Sequence, residues 1–307
     1  MTAEGEPDVT TQLLEASPLW PATLDHIRYD SPDPAKLADF YISAMGMTET
    51  PLGASEFLLE APSRSIVIGA GAAGQPYSAF ALGDGDHLRL YRAFLEGCRV
   101  ELLPSPTALF GSDAFAVRDP DGRLAVFGTR TRPSQPSLAD AAVGGLPGQL
   151  EHVVVASARF PAMLRFYTET LGFMLSDTVH QDAPAAHEGE MNVCFLRADE
   201  MHHCFAVFRA PQSRADHHAY ETTGWNDLKL WADHFASLEI PIWWGPGRHG
   251  VGNNLFFMIK DPDGNNIEIS AELETMKKGQ PGRKWMGARR ATNLWGEPWI
   301  RDTSATS

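Results

Sequence analysis

The chain contains an internal duplication, and this feature constrains its fold more than any other. The segment LDHIRYDSPDPAKLADFYISAMGM (24–47) aligns without a gap with LEHVVVASARFPAMLRFYTETLGF (150–173), at an offset of 126 residues. Two later segments, RDPDGRLAV (118–126) and KDPDGNNIE (260–268), align at an offset of 142 residues, so the second copy carries an insertion of 16 residues (142 − 126). Two halves of one chain that share such segments are expected to repeat one structural unit.

Hydrophobic periodicity places strands and helices in the same order within both copies. In the second copy, alternation predicts strands at 150–156 and 217–222, and each is followed by an amphipathic helix and three further strands. The two DPDG segments are hairpin turns, because Pro fixes φ and Gly accepts positive φ. The pattern predicts an α+β fold of four βαβββ modules paired into two domains.

The predicted parts are a flexible arm (1–18), a first domain (19–131), a linker rich in Pro, Ser, Gly and Ala (132–147), a second domain (148–275) and a basic, tryptophan-rich extension that packs on the body (276–307).

Composition excludes several classes of partner. A net charge of −14 argues against nucleic acid and anionic membranes. The polar, acidic start MTAEGEPDVTT does not resemble a signal peptide, and no apolar run approaches the length of a membrane span. The three cysteines form no CxxC pair, which is typical of reduced thiols in a cytosolic protein. We expect a soluble, cytoplasmic homo-oligomer.

The two copies differ at positions that could bind a metal. The second copy has two histidines and a glutamate where the first has a histidine, a serine and a valine: His152 matches His26, His218 matches Ser78, and Glu268 matches Val126. A single buried histidine is more often structural than a ligand, but three such residues at matched strand positions favour a metal site. Two histidines and one carboxylate form the facial triad of non-haem Fe(II) enzymes, which leaves positions open for substrate and O₂. Alternation predicts that the neighbouring His202 and His217 face away and are structural.

The segments LEHVVV, HHAY and DPDGNNIEI, the loop GPGRHGVGNN and the C-terminal WGEP (295–298) together resemble a known family. They are similar to the type I extradiol ring-cleaving dioxygenases of the vicinal oxygen chelate (glyoxalase/bleomycin-resistance) superfamily, and most to the homoprotocatechuate 2,3-dioxygenase-like members. The resemblance covers residues 20 to about 275. It implies two domains, each a curved, mostly antiparallel sheet with helices outside, and a first domain without metal.

The resemblance also implies roles for particular residues. Fe(II), less often Mn(II), would be bound by His152, His218 and Glu268, and an aromatic diol and O₂ would be the substrates. His203 matches an acid–base histidine of the family, and His249 matches a residue that contacts the substrate.

The chain departs from the family pattern at two positions. Met258 stands where the family has a tyrosine, and Val154 stands where it often has a polar residue. Tyr220, two residues after His218, is our candidate for a partial replacement of the missing tyrosine.

The predicted substrate pocket is apolar. Its expected wall residues are Phe195, Trp244, Phe257, Met258 and Val154. This set favours a catechol-like substrate without a carboxylate near the ring. Two alternatives remain open: another metalloenzyme of the superfamily that uses the triad for a different oxygenation or C–C cleavage, and a non-catalytic ligand-binding member.

Overall fold

The computed structural model describes residues 18–131, 145–181 and 189–300. The predicted arm (1–18) and linker (132–147) therefore lie almost entirely outside the described residues. The first half contains two modules of one strand, one helix and three strands. The first module comprises β1 (Ala22–Ser31), α1 (Pro34–Ser43), β2 (Thr48–Gly53), β3 (Glu56–Ala61) and β4 (Arg64–Ala70). The second comprises β5 (Gly74–Leu82), α2 (Gly85–Gly97), β6 (Leu103–Pro104), β7 (Phe115–Arg118) and β8 (Leu124–Gly128).

The second half repeats this order and adds a tail. Its first module comprises β9 (Gln149–Ser157), α3 (Phe160–Arg165), which continues as a π-helical turn (Phe166–Thr170), β10 (Met174–His180), β11 (Met191–Arg197) and β12 (Phe205–Arg209). Its second comprises β13 (Arg214–Thr222), α4 (Trp225–Ser237), β14 (Trp244–Arg248), β15 (Leu255–Lys260) and β16 (Asn266–Ala271). The tail adds β17 (Arg283–Met286) and the short helix α5 (Ala288–Thr292).

Each half forms one mixed sheet. The strand orders are β2-β3-β4-β1-β5-β8-β7-β6 and β14-β15-β16-β13-β9-β12-β11-β10-β17. At the centre of each sheet the first strands of the two modules pair antiparallel, and each also pairs parallel with the last strand of its own module. The predicted α+β fold of four βαβββ modules is confirmed.

The local sequence explains the main turns. Helix α1 begins with Pro34 after Asp33, whose carboxylate accepts a hydrogen bond from the Lys36 backbone N–H. In the last hairpin Asp261 accepts backbone N–H groups of residues 263 and 265, and Gly264 supplies a φ of +84°. The site depends on this hairpin, because it sets the register between β15 and β16.

One continuous apolar core links the two halves on the faces that carry the helices. It contains the buried residues Ile27, Tyr41, Val153, Trp231 and Ile267, which come from both halves of the chain. The opposite face of the second sheet is left to form a cavity. Within the described ranges, no helix is long and apolar enough to cross a membrane.

Candidate metal centre and active site

Strand register brings two histidines and one glutamate together on one face of the second sheet. Ala219 of β13 pairs with His152 of β9 on one side and with Glu268 of β16 on the other, so the three side chains share a face. His217, two residues before Ala219, points to the same face. Its Nε2 lies 3.2 Å from Nε2 of His152 and 3.5 Å from Oε2 of Glu268. We call these three buried residues the triad; their candidate ligand atoms all lie within 4.8 Å of one another.

The prediction of His218 as the second histidine of this group is wrong. His218 faces the other side of β13, where its Nε2 lies 3.2 Å from the Tyr41 hydroxyl and its Nδ1 lies 3.3 Å from the Tyr29 hydroxyl. Burial lowers the pKa of His218 to about 3, so the ring is neutral. His217, interpreted from the sequence as structural, takes the position in the triad instead. A shift of one residue in the pairing moves every side chain of a strand to the opposite face of the sheet. The pairing of Ala219 therefore determines which of the two histidines faces the site.

The same alternation corrects two further predictions. Tyr220 lies on the face of His218, with ring centroids 5.3 Å apart, so it is buried in the core and not beside the triad. Phe257 faces the helix side and packs against Phe235 of α4 at a centroid distance of 6.1 Å. Its neighbour Phe256 occupies the site side of β15, where it stacks on the His249 ring at 3.8 Å.

The triad is in the protonation state that a divalent cation requires. Burial lowers the pKa of His152 to about 4 and also lowers that of His217. Burial alone would raise the pKa of Glu268, but its interaction with His249, together with the other two histidines, lowers it to about 2. Two neutral imidazoles and one carboxylate are therefore present at neutral pH, and metal binding needs no prior loss of protons.

Each triad histidine is held by the acidic residue that precedes it in the chain. His152 Nδ1 lies 2.8 Å from Glu151 Oε2, and His217 Nδ1 lies 2.6 Å from Asp216 Oδ1. An ionised carboxylate only accepts, so His217 beside Asp216, and His152 beside Glu151 in its ionised form, carry their proton on Nδ1 and present the Nε2 lone pair to the centre of the triad. Such carboxylate–histidine pairs orient metal ligands and raise their basicity.

The buried charges around the triad are unbalanced in favour of a cation. Three buried acidic residues, Glu151, Asp216 and Glu268, surround two neutral imidazoles. Burial and the negative charge of Glu268 raise the pKa of Glu151 to about 8, and Oε1 of Glu151 accepts no hydrogen bond within the described part of the chain. Buried carboxylates are costly unless they are paired or bound to a cation. The residues present therefore fit a divalent metal.

The triad lines a cavity of about 300 Å³ with mostly apolar walls. Val154, paired with His217, and Met258, paired with Glu268, both line this cavity, as do Phe195 and Trp244. Among the described residues, no lysine or arginine lines the cavity. The strand positions nearest the triad are thus apolar.

Two further histidines and one asparagine surround the triad. The ring centroid of His203 lies 4.3 Å from that of His152. His249 Nε2 lies 3.7 Å from Glu268 Oε1, and its Nδ1 hydrogen-bonds to the carbonyl oxygen of Thr292 in the tail. Asn254, which sequence reasoning missed, donates from Nδ2 to Glu268 Oε1 at 3.1 Å. It lies at the end of the motif GPGRHGVGNN, which could have indicated it.

The tail covers one side of the cavity. Strand β17 pairs parallel with β10, and this pairing places α5 beside the cavity. Ala291 of α5 and the later Trp299 and Ile300 line the wall. The Trp299 ring packs on Trp243 at a centroid distance of 4.8 Å.

The equivalent space in the first domain is filled. Asp25 still contacts His26 Nδ1 at 2.7 Å, but His26 Nε2 hydrogen-bonds to Thr107 at 3.0 Å. Tyr77 and Val126 stand where the second domain has His217 and Glu268, and both pack in an apolar cluster with Phe110. Among the described residues, the groups that could hold a metal all lie in the second half of the chain.

The fold and site define a class of protein that the comparisons support. Residues 149–269 match the sequence profile of the Glyoxalase/Bleomycin resistance protein/Dioxygenase superfamily, and this part of the chain is a domain of that superfamily. A more specific likeness extends over nearly the whole chain. The chain is 26% identical to metapyrocatechase 2 of Cupriavidus necator over 92% of both sequences. It is 29% identical to biphenyl-2,3-diol 1,2-dioxygenase of Paraburkholderia xenovorans (strain LB400), over 56% of each chain.

A solved structure shares the architecture. The anaerobic substrate complex of homoprotocatechuate 2,3-dioxygenase from Brevibacterium fuscum has a TM-score of 0.76 at 23% identity, covering 93% of this chain and 92% of that chain. The predicted resemblance to extradiol dioxygenases and the predicted enzyme class, a ring-cleaving dioxygenase, are confirmed.

Proposed function

We propose that this chain is an Fe(II)-dependent extradiol dioxygenase that cleaves the ring of an aromatic vicinal diol with O₂. The observation that carries the proposal is the triad: two neutral imidazoles and one carboxylate, buried on one sheet face and open to an apolar cavity. Three protein ligands leave coordination positions for small molecules. The relatives named for diol cleavage support the assignment.

We assign the metal to His152, His217 and Glu268. When bound, Fe(II), or Mn(II) in its place, would hold the diol oxygens next to O₂ and carry electron density between them. The protein's own contribution is to orient these ligands through Glu151 and Asp216.

The remaining polar residues of the cavity provide proton transfer and orientation. His203 is positioned to take a proton from a substrate hydroxyl, because its ring lies beside His152 at the cavity wall. His249 is fixed from two sides, by the Thr292 carbonyl and by the Phe256 ring, so that its Nε2 faces the triad. We propose that it holds the substrate hydroxyl or a ring substituent. Across the reaction the ring C–C bond next to the diol breaks, and both atoms of O₂ enter the product.

The cavity walls favour a substrate without a carboxylate near the ring. A carboxylate beside the triad would meet Val154, Phe195 and Met258. The polar residues elsewhere in the wall, His180, Gln181, Asn192 and Thr292, include no lysine or arginine among the described lining residues. Removing a carboxylate from water without a partner is costly. An apolar substituent would instead gain about 25 cal/mol for each Å² buried.

The direct test is anaerobic reconstitution with Fe(II), or Mn(II) in parallel, followed by O₂ and a panel of catechols. We expect O₂ uptake with the near-visible absorbance of a ring-opened product. We expect kcat/KM to be at least about 10-fold higher for apolar-substituted catechols than for carboxylate-bearing ones, which corresponds to about 1.4 kcal/mol. Metal binding without O₂ uptake for any catechol would contradict the proposal. The matched control is His26→Asn, which alters the equivalent histidine of the first domain.

A second function has one observation in its favour. Met258 and Val154 place apolar groups beside Glu268 and His217, where the resembling family has hydrogen-bonding residues. A metalloenzyme of this scaffold that catalyses a different oxygenation or C–C cleavage would be consistent with the absence of these hydrogen-bonding residues. In the same assay, it would consume O₂ without the ring-fission chromophore.

A further inference from the structure

The structure contains a buried polar network beside the triad that the proposed function does not use. His202, interpreted from the sequence as facing away and structural, is fully buried next to His203. Its Nδ1 lies 2.9 Å from Nδ1 of His203. On its other side, its Nε2 lies 3.3 Å from Asp177 Oδ2 and 3.6 Å from Glu274 Oε1. This network links the cavity wall to the strands behind it.

The donors and acceptors in this network determine where the protons are. Neither carboxylate contact has hydrogen-bond geometry, but the negative charges of Asp177 and Glu274 beside Nε2 favour the tautomer of His202 that carries its proton on Nε2. In a neutral His202 ring, Nδ1 is then an acceptor. The contact of 2.9 Å between the two Nδ1 atoms needs one proton, and a neutral His202 accepts it from His203. The lone pair of His203 is thereby left on Nε2, the nitrogen that His202 does not contact.

Asp177 keeps this arrangement rigid and ties it to the tail. Burial alone would raise the pKa of Asp177, but the adjacent His202 ring and the hydrogen bonds from Arg283 and Trp285 lower it to about 2. Arg283 donates its backbone N–H to Asp177 Oδ1 at 2.8 Å, and Trp285 Nε1 donates to Oδ2 at 2.8 Å. The carboxylate that faces His202 is therefore also the anchor of β17, the strand that precedes helix α5 in the cavity wall.

We propose that His202 is a positioning residue that fixes the tautomer and ring orientation of His203, so that Nε2 of His203 is the base facing the substrate. The identity of the proton donor, the substrate hydroxyl, rests on the proposed function. The tautomer assigned to His203 does not rest on it. His202 touches neither the triad nor the cavity and acts only through His203. Asp177 and its bonds to the tail make the tautomer dependent on the docked position of β17.

Two substitutions at His202 separate a hydrogen-bonding role from a packing role. His202→Asn keeps an acceptor near the position of Nδ1, whereas His202→Leu fills similar space with no acceptor. For His202→Leu we expect kcat to fall about 100-fold with KM changed less than about 3-fold, within the range for a misplaced general base. His202→Asn should recover kcat to within about 5-fold of the original chain. His26→Asn, in the first domain, should leave both constants unchanged.

A second readout does not depend on activity. In the full chain loaded with Zn(II) and ring-labelled with ¹⁵N-histidine, long-range ¹H–¹⁵N spectra report which nitrogen of His203 carries the proton. The His203 signals are assigned with His203→Gln. We expect the Nδ1–H tautomer in the original chain and in His202→Asn, and a mixture of tautomers or the Nε2–H form in His202→Leu.

The outcomes distinguish this inference from the proposed function. Equal kcat losses in the Asn and Leu variants, or an unchanged His203 tautomer in His202→Leu, would overturn the inference. If the original chain shows the Nδ1–H tautomer but cleaves no catechol, the tautomer assignment holds and the proposed function fails. If the chain cleaves catechols and His202→Leu keeps full kcat, the function holds and the positioning role fails.

Discussion

Adjacent histidines on β13 should give opposite phenotypes when they are replaced. His217 points into the triad, and His218 points into the core between the two domains. His217→Ala removes one of three metal ligands. His218→Phe preserves a ring of similar size but removes both ring nitrogens.

The expected magnitudes follow from the contacts. Loss of a residue that only orients a ligand typically weakens metal affinity by about 10- to 100-fold, so loss of the ligand itself should weaken it by at least about 100-fold. His218→Phe leaves the buried hydroxyls of Tyr29 and Tyr41 without the ring that they contact at 3.3 and 3.2 Å. Each such loss costs about 1–3 kcal/mol, so the free energy of unfolding should fall by about 2–6 kcal/mol.

The assay measures both quantities in both variants. Metal affinity is obtained by competition with a chromogenic chelator, and the free energy of unfolding by urea titration followed by tryptophan fluorescence. We expect His217→Ala to lose metal with little loss of stability in the metal-free state, and His218→Phe to lose stability while its metal affinity stays within about 3-fold. The reverse pattern would falsify the strand register that places Ala219 beside His152 and Glu268.

Three further predictions follow from the site and its surroundings. Glu151→Gln should weaken metal affinity by about 10- to 100-fold with the triad intact, because His152 loses its carboxylate partner. Unchanged affinity in chelator competition would show that this contact does not contribute to metal binding. Trp299→Ala should raise KM for apolar catechols about 10-fold, because re-exposing ~50 Å² of substrate surface costs about 1.3 kcal/mol. An equal rise in KM for polar catechols would count against an apolar contact with Trp299. Asp177→Asn should lower the free energy of unfolding at pH 7 by about 2 kcal/mol, because the pKa of Asp177 falls from 3.8 to about 2 on folding. A depressed pKa stabilises the fold above the unfolded value, so in urea titrations this difference should be constant above about pH 5 and shrink as the pH falls toward 2.

The duplication made the architecture predictable from the chain alone. Two copies with the same order of periodic segments, closed by the same DPDG turn, required a repeated unit, and the strands and helices appear in the predicted order. The identities of His152 and Glu268 were also accessible: Val126 in the first copy shows that the fold does not require an acid at the position of Glu268, and the family resemblance of LEHVVV indicates His152. The loop motif with His249 was recognisable from its resemblance to the same family.

Only the tertiary structure decided which residues share a face. The sequence His217-His218 offers two rings on opposite sides of one strand, and nothing local distinguishes them. The choice depends on which residue of β13 lies opposite His152 on β9, a pairing between segments more than 60 residues apart along the chain. The same uncertainty misplaced Tyr220 and Phe257, because a side chain's face is a property of the strand's partners.

The sequence by itself therefore determined the repeated fold, the kinds of residue available for a metal and the apolar character of the cavity. The tertiary structure decided that His217 completes the triad, that His218 belongs to the core, and that the tail closes one wall. The physical reason is that periodicity fixes only the relative orientation of residues within a strand. The absolute direction of that strand's faces is set by hydrogen bonds to distant strands and by the apolar surface that must be buried.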